Sequence, residues 1–551
     1  MKTSTASHGQ SNKPYRPFIK VALSLTAAFL LLPATVSAVD TLPILWEAGG
    51  GSSGTDSAGQ AARVAVDSAG NLAVVSGPSN GRNLAVTSYT ATGVFRWTNE
   101  ISPSLGTFVG DWVAAAPNGD FVAVGRNTNS SGNPIGITLV RFTAGGAFLW
   151  RVDLAGILPS VGRLLVDSSG NAYLAFNSLG DGQDIRLHKY SPTGGLLWSQ
   201  TINTGFMSNN IATSLAFSPD QAELAITGDT IGGAEWITAL YDSSTGTRKW
   251  LVNAAEGTAT RDLVVDANRV YVTGQGGDAG TNTFLTVVAY DRSTGTRLWR
   301  TDKNPVDGSN SAGLRIALAP DGSLAVTGQT LRGFLDWYTV ALETSGAVRW
   351  EAVRDGKLNT NEVPAAVLVL PDGTSVVTGV GGPNLPGGFI PGVTVGYSVD
   401  GILLWEAFSP LATVWAVALP NGDVCATGGY DAYLAAFRPP ATVSTTMHIG
   451  DLDASAVSMR RNWTATVTAT VRDSAAGLVS NATMTGSWKS GIVSTCTTAA
   501  DGTCSVTATT KAKNEQFTVT GVTHATLTYD PLANTDPDGD SNGTRIRIKR
   551  P

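Results

Sequence analysis

From residue 44 to residue 438 the chain repeats one alternation of apolar and polar positions. An apolar run such as "ARVAVD", "GRLLVD", "RDLVVD" or "LRIALAPD" is followed by a turn, "DSAGN", "DSSGN", "PDGS" or "PNGD". A second run ends in glycine ("LAITG", "VYVTG", "VCATG"), and a third ends in an aromatic residue ("LAVTSY", "WITALY", "LTVVAY", "YLAAF"). A glycine-bearing turn then leads into a fourth run that carries a tryptophan. Short runs of this kind, bounded by Gly, Asn, Asp and Pro, predict β-strands. Four of them in roughly 50 residues, again and again, predict successive four-stranded antiparallel sheets.

The tryptophans set the period. Trp46, Trp97, Trp150, Trp198, Trp250, Trp299, Trp350 and Trp405 recur at intervals of 48 to 55 residues, and every one after Trp46 has a glycine four residues earlier. A glycine there can take the positive φ of a hairpin turn, which a side chain with a Cβ resists. The indole supplies the apolar face that one sheet needs against the next, so these eight tryptophans are expected to dock neighbouring sheets. The expected fold is all-β: an eight-bladed β-propeller. Its last repeat ends after three strands, and "LPILWEA" stands alone at the start, so the two ends together should complete the eighth blade and cover an open edge.

After "RPPATVS" the pattern changes. Residues 439–444 read as a linker, and 445–551 as an immunoglobulin-like β-sandwich of long alternating strands, "NWTATVTATVRD" and "QFTVTGVTHATLTY" among them. Cys496 and Cys504 flank a turn with Asp501-Gly502 at its tip and are expected to form a disulfide across a hairpin. Cys425, in "DVCATGG", reads as a buried small hydrophobe. At the other end, residues 1–38 read as a signal peptide: Lys2, Lys13, Arg16 and Lys20, the apolar run "VALSLTAAFLLLPATVSA", and small residues at the cleavage site. With that segment removed no membrane span is expected, and the protein should act as an exported monomer, outside the cell, at its surface or in the periplasm.

Charge narrows the partners. The chain has 37 basic and 43 acidic residues, and four of the basic ones fall in the leader. A net acidic balance argues against nucleic acid or an anionic membrane as main partner, because both demand clustered Lys and Arg. An unknown protein or glycan remains as the expected partner.

"AYDRSTGTRLW", residues 289–299, resembles the tryptophan-docking motif of quinoprotein propellers through Ala289, Asp291, Thr294, Gly295 and Trp299. "LYDSSTGTRKW" matches at Asp242, Thr245, Gly246 and Trp250, with Leu240 in place of the alanine. The resemblance, to PQQ-like repeats of secreted bacterial propellers, implies an eight-bladed fold over about residues 44–438. It does not extend to quinone chemistry, because this chain has neither the adjacent cysteines nor the calcium-ligand segments that such dehydrogenases carry. The C-terminal pattern "VRD…GLVSNATMTGSW" is similar to Ig-like domains appended to secreted bacterial peptidases and adhesins.

Candidate chemistry is sparse. Beyond the leader there are three histidines, His188, His448 and His524, too few for a His-rich zinc site, and His188 sits mid-strand in "IRLHKY". Asp536, Asp538, Asp540 and Asn542 alternate in "TDPDGDSNGT", a spacing that suits Ca²⁺, although Ser541 and Arg547 break the EF-hand pattern. The long loops, between second and third strands and between sheets, should share one face. Asp184, Glu235, Asp336 and Asp431, with Trp236 and Trp337, are expected to ring it as a binding face. The function expected is binding or scaffolding without catalysis, with no cofactor beyond that possible Ca²⁺. A propeller enzyme, a quinoprotein dehydrogenase or a glycan-cleaving one, is the alternative.

Overall fold

The computed structural model describes residues 39–551 apart from the stretches 50–62, 77–82, 104–105, 130, 132, 156–160, 180–182, 206–209, 231–234, 279–281, 306–307, 357–360, 382–390, 429–432, 441–445, 475–476 and 526. The proposed leader and part of the proposed linker lie outside the described residues. No helix among the described residues is long and apolar enough to cross a membrane.

Among the described residues of 40–437 the strands form eight sheets, antiparallel but for one added strand. Six are made of four consecutive strands, beginning with Arg63–Val66, Thr107–Ala115, Val161–Val166, Asn210–Phe217, Gly257–Val265 and Ser311–Leu318. The seventh, Val363–Val369 to Leu403–Ser409, gains a fifth strand, Asp40–Leu42, which pairs parallel with Leu403–Ser409. The sequence pattern contains no sign of that strand. The eighth takes three strands from Thr413–Ala418, Val424–Gly428 and Leu434–Phe437 and its fourth from Trp46–Ala48, with Trp46 opposite Ala436. The two chain segments thus close that sheet as the orphan strand foretells. Each sheet's first strand packs on the first strand of the next, and Thr413–Ala418 packs on Arg63–Val66, so the series is cyclic.

The tryptophan and glycine repeat is one device. A Cβ built on Gly295 would stand 2.7 Å from Trp250, and one on Gly246 would stand 2.7 Å from Trp198. Each tryptophan therefore lies flat on the turn glycine of the following sheet, and those glycines do hold positive φ (74° at both Gly246 and Gly295). The indole N–H is used as well: Trp97 donates to the Ala144 carbonyl (3.0 Å), Trp150 to Pro192 (2.8 Å) and Trp299 to Thr344 (2.9 Å). Trp405 differs, because the following repeat lacks that glycine. It is buried at 1 % exposure and packs with Ala416, Val424, Ala426 and Phe437 of the eighth sheet.

Strands over 446–549 make two further four-stranded sheets around one core that includes Trp463, Trp488, Met484 and Phe517. Cys496 and Cys504 are bonded, with Cα atoms 5.7 Å apart. The bond is not across a hairpin. Cys496 lies in Val493–Thr497, paired with Thr483–Trp488, and Cys504 lies in Thr503–Thr510, paired with Trp463–Asp473 in the other sheet. It therefore staples the two layers of the sandwich. Cys425 is free and fully buried, and burial pushes its thiol up.

Candidate functional site: the axial cavity

Where the first strands meet there is an open cavity of about 590 Å³, lined by residues of seven of them and by Arg126. One register position supplies Arg63, Trp112, Arg163, Ser214, Asp262, Arg315 and Trp415 to its lining. In seven of these strands a β-bulge interrupts the pairing with the second strand, and the residue after each bulge is Trp112, Arg163, Ser214, Asp262, Arg315, Ala366 or Trp415. Arg63, the first residue of its strand, takes the same position in the first sheet. A bulge re-aims the side chains around it, and here it turns them toward the axis. Most of them lie near the middle of their strands.

The contents are strongly biased. Five arginines line the cavity, Arg63, Arg126, Arg163, Arg261 and Arg315, against two aspartates, Asp111 and Asp262. Both aspartates are engaged. Arg126 Nε lies 2.8 Å and 2.9 Å from the two Asp111 oxygens. Asp262 accepts from Arg163 Nη1 (2.9 Å), Ser214 Oγ (2.7 Å) and its neighbour's backbone, Leu263 N (3.0 Å). Arg63 packs against two indoles, its Cζ 4.6 Å from the Trp112 ring centre and 4.3 Å from that of Trp415. Those rings meet edge to face at 5.3 Å. Burial, with Arg315 and Arg163 nearby, pushes the Arg63 guanidinium down to about 9, which leaves it charged at neutral pH. Burial also lowers Arg315, and it lifts Asp111 to about 6 against the pull of Arg126.

The residues expected to ring a binding face are distributed differently. Trp236 and Trp337 are 0 % and 1 % exposed and pack between sheets, so neither indole is presented to a partner. Trp337 donates to the Val380 carbonyl (3.0 Å) and has Arg354 over its ring at 5.2 Å. Asp184 and Asp336 are buried too, and Asp184 has Arg186 at 3.9 Å. Glu235 is exposed and accepts from Asn253 (2.8 Å). Asp431 lies outside the described residues. His188 is a packed side chain: its Nδ1 is 2.8 Å from the Tyr190 hydroxyl, Phe176 meets its ring edge-on, and burial takes it down to about 4.

In the sandwich, Asp536 and Asp538 gather with Asp451, and Asp538 and Asp540 with Asp453. These are the residues that could hold a divalent cation. Asp451 and Asp453 come from the long strand Thr446–Ser458, which the loop's own spacing could not reveal. Asn542 is used instead in a turn, accepting from Thr544 N and Arg545 N. Burial and the neighbouring carboxylates hold Asp451 and Asp540 above the usual carboxylate range. A group raised in the folded state stabilises fully below its unfolded pKa and loses that contribution as pH rises through its folded value. We therefore expect Asp451→Asn to raise the melting point of the sandwich at pH 7 and to leave it little changed at pH 3. Calorimetry at the two pH values measures this.

Comparison with known proteins follows the fold. Residues 183–381 match a family described as outer membrane protein assembly factor BamB, of the PQQ_2 repeat type. The chain carries PQQ-like β-propeller repeats. No curated protein matches it. Among solved structures, the Dos1 propeller aligns with a TM-score of 0.51 at 10 % identity, over 72 % of this chain and 95 % of its own. BamB from Moraxella catarrhalis aligns at 0.47 and 15 % identity, over 72 % and 100 %. A quinohemoprotein alcohol dehydrogenase from Comamonas testosteroni aligns at 0.47 and 12 %, over 74 % and 78 %. The Dos1 likeness shows the propeller fold, and at such identities function does not transfer.

Proposed function

We propose that this chain is an exported, non-catalytic binding or scaffold protein. Its eight sheets are the eight blades of the propeller, the C-terminal sandwich is an immunoglobulin-like appendage, and the monomer recognises a protein or glycan at or outside the cell surface. The observation that carries this reading is the chemistry of the axial cavity. Its charged groups are arginines, which keep their protons, and two aspartates already held by arginine. Apart from Asp111, lifted to about 6 and bound by Arg126, such a site offers charge and shape for recognition rather than groups that exchange protons near neutral pH. The disulfide between the sandwich layers agrees with a compartment outside the cytoplasm. The match to repeats of an outer membrane assembly factor agrees with a scaffolding role.

The test is affinity capture with the purified chain from 39 to 551, combined with a glycan array. One saturable partner without turnover is the expected result. Dye reduction after addition of quinone and calcium, or hydrolysis of a glycan, would overturn it in favour of an enzyme. For the sandwich, we propose calcium as the ion of the acidic cluster. Millimolar Ca²⁺ should then raise its melting point, and Asp538→Asn, which removes the carboxylate common to both groups, should abolish the gain.

A further inference from the structure

We propose that the axial cavity binds a small oxyanion ligand carrying at least two carboxylate or phosphate groups. This deepens the binding reading above but does not depend on the macromolecular partner. The first ground is the charge balance. With Asp111 taken by Arg126 and Asp262 by Arg163, no carboxylate among the described residues lies within ion-pair distance of Arg63, Arg261 or Arg315. These three guanidinium groups are compensated only at longer range, by Asp111 and Asp262 for Arg63, by Asp262 for Arg315 and by Asp229 for Arg261, and Arg63 and Arg315 each also feel the repulsion of neighbouring arginines. A ligand with a single negative charge leaves most of that repulsion, whereas two or more charges remove it. The surplus also runs against the acidic composition of the whole chain, so it is a local feature of the site.

The second ground is a guanidinium fixed in the cavity wall. Arg315 Nη1 donates to the Leu314 carbonyl at 2.7 Å, while its Nε is buried with no hydrogen-bond partner. That Nε is closed to the cavity, so a ligand there meets the Nη groups, for which a carboxylate or phosphate oxygen is the best acceptor. The third ground is preorganisation. Arg63 packs against Trp112 and Trp415 and donates from Nη1 to the Val414 carbonyl at 3.3 Å, so its fork is positioned before any ligand arrives and less rotamer freedom remains to be lost. The cavity volume of about 590 Å³ falls in the range of small-molecule sites.

The experiment is calorimetric titration and thermal shift of the chain from 39 to 551 at low ionic strength. Citrate and inorganic phosphate are the probes, with acetate and glucose as monoanionic and neutral controls. Citrate or phosphate should bind saturably and raise the melting point, at least tenfold more tightly than acetate, with no response to glucose. Preference for citrate over phosphate would assign carboxylate groups to the natural ligand, and the reverse preference phosphate groups. Arg315→Gln should weaken binding tenfold or more while the ligand-free protein melts no lower. Arg261→Gln, at the exposed rim, serves if the first variant fails to fold, and should also weaken binding several-fold. Arg460→Gln in the sandwich should change nothing. Equal affinity of wild type and both cavity variants, or no response to either anion, would overturn the site. Capture of a macromolecular partner would be unaffected by that failure, so the two readings fail separately.

Discussion

Replacing Trp250 with alanine should cost about 3 kcal/mol of stability, within the range for truncating a packed aromatic. The indole is half-buried, lies on the Gly295 turn of the next sheet, contacts Tyr290 and donates to the Arg292 carbonyl at 2.9 Å. Gly295→Ala should cost a similar amount, for two reasons that can be separated. One is the positive φ of 74°. The other is the clash of a new Cβ with the indole, 2.7 Å away. Overpacking of this kind costs about 1–3 kcal/mol. In the double variant the clash is gone and only the φ penalty remains, so the two losses should fall short of additive by about 1 kcal/mol or more. Denaturant titration of the four proteins measures the coupling, and strict additivity would show that tryptophan and glycine do not act as a pair.

The second large effect is expected at Asp120. Its carboxylate meets Arg141 Nε and Nη2, both at 3.1 Å, and Arg141 is 2 % exposed. Arg141 Nη1 also donates to the Gly170 carbonyl at 2.7 Å, so the pair ties the second sheet to the first turn of the third. Asp120→Ala leaves a buried guanidinium without its counter-charge, which should cost about 3–5 kcal/mol. Replacing both partners, as in Asp120→Ala with Arg141→Met, should restore much of that loss, because an apolar pair avoids the desolvation of two ions. If the double variant were no more stable than the single one, the carbonyl contact to Gly170 would be the part that matters.

What could be read from the sequence was whatever repeats locally. A glycine four residues before a tryptophan is a nearby pair, so the sheet period and its closure by Trp46–Ala48 were visible without coordinates. The axial cavity was not, although its signal was present. Arg63, Arg163, Asp262 and Arg315 stand at one position of the runs "ARVAVD", "GRLLVD", "RDLVVD" and "LRIALAPD". Apolar neighbours make those runs read as ordinary buried strands, and the bulge that turns the charged residue to the axis leaves no mark in a single repeat. The acidic net charge also pointed away from an arginine-lined site. Conversely, Trp236 begins its strand and Trp337 is third in Leu335–Leu342, both beside long loops, which suggested exposure, yet their size lets them reach back between sheets. The disulfide partners were legible, but their placement in different layers was not, since a short connection between strands is compatible with a hairpin or with a step from one sheet to the other.

The closure of the eighth sheet has a consequence for how the chain comes into being. Glu47 and Tyr433, hydrogen-bonded across that sheet, are 386 positions apart. At roughly 5–20 residues per second of synthesis, Trp46–Ala48 must wait on the order of 20 to 80 seconds after it appears before its partner strand exists. During that interval the first seven sheets can form in turn while the growing arc keeps two raw edges, each able to capture another arc of the same kind. Ring completion is thus the least local step in the folding of these eight sheets. Conditions that slow elongation, or crowd many nascent copies together, should favour strand exchange between chains over closure within one.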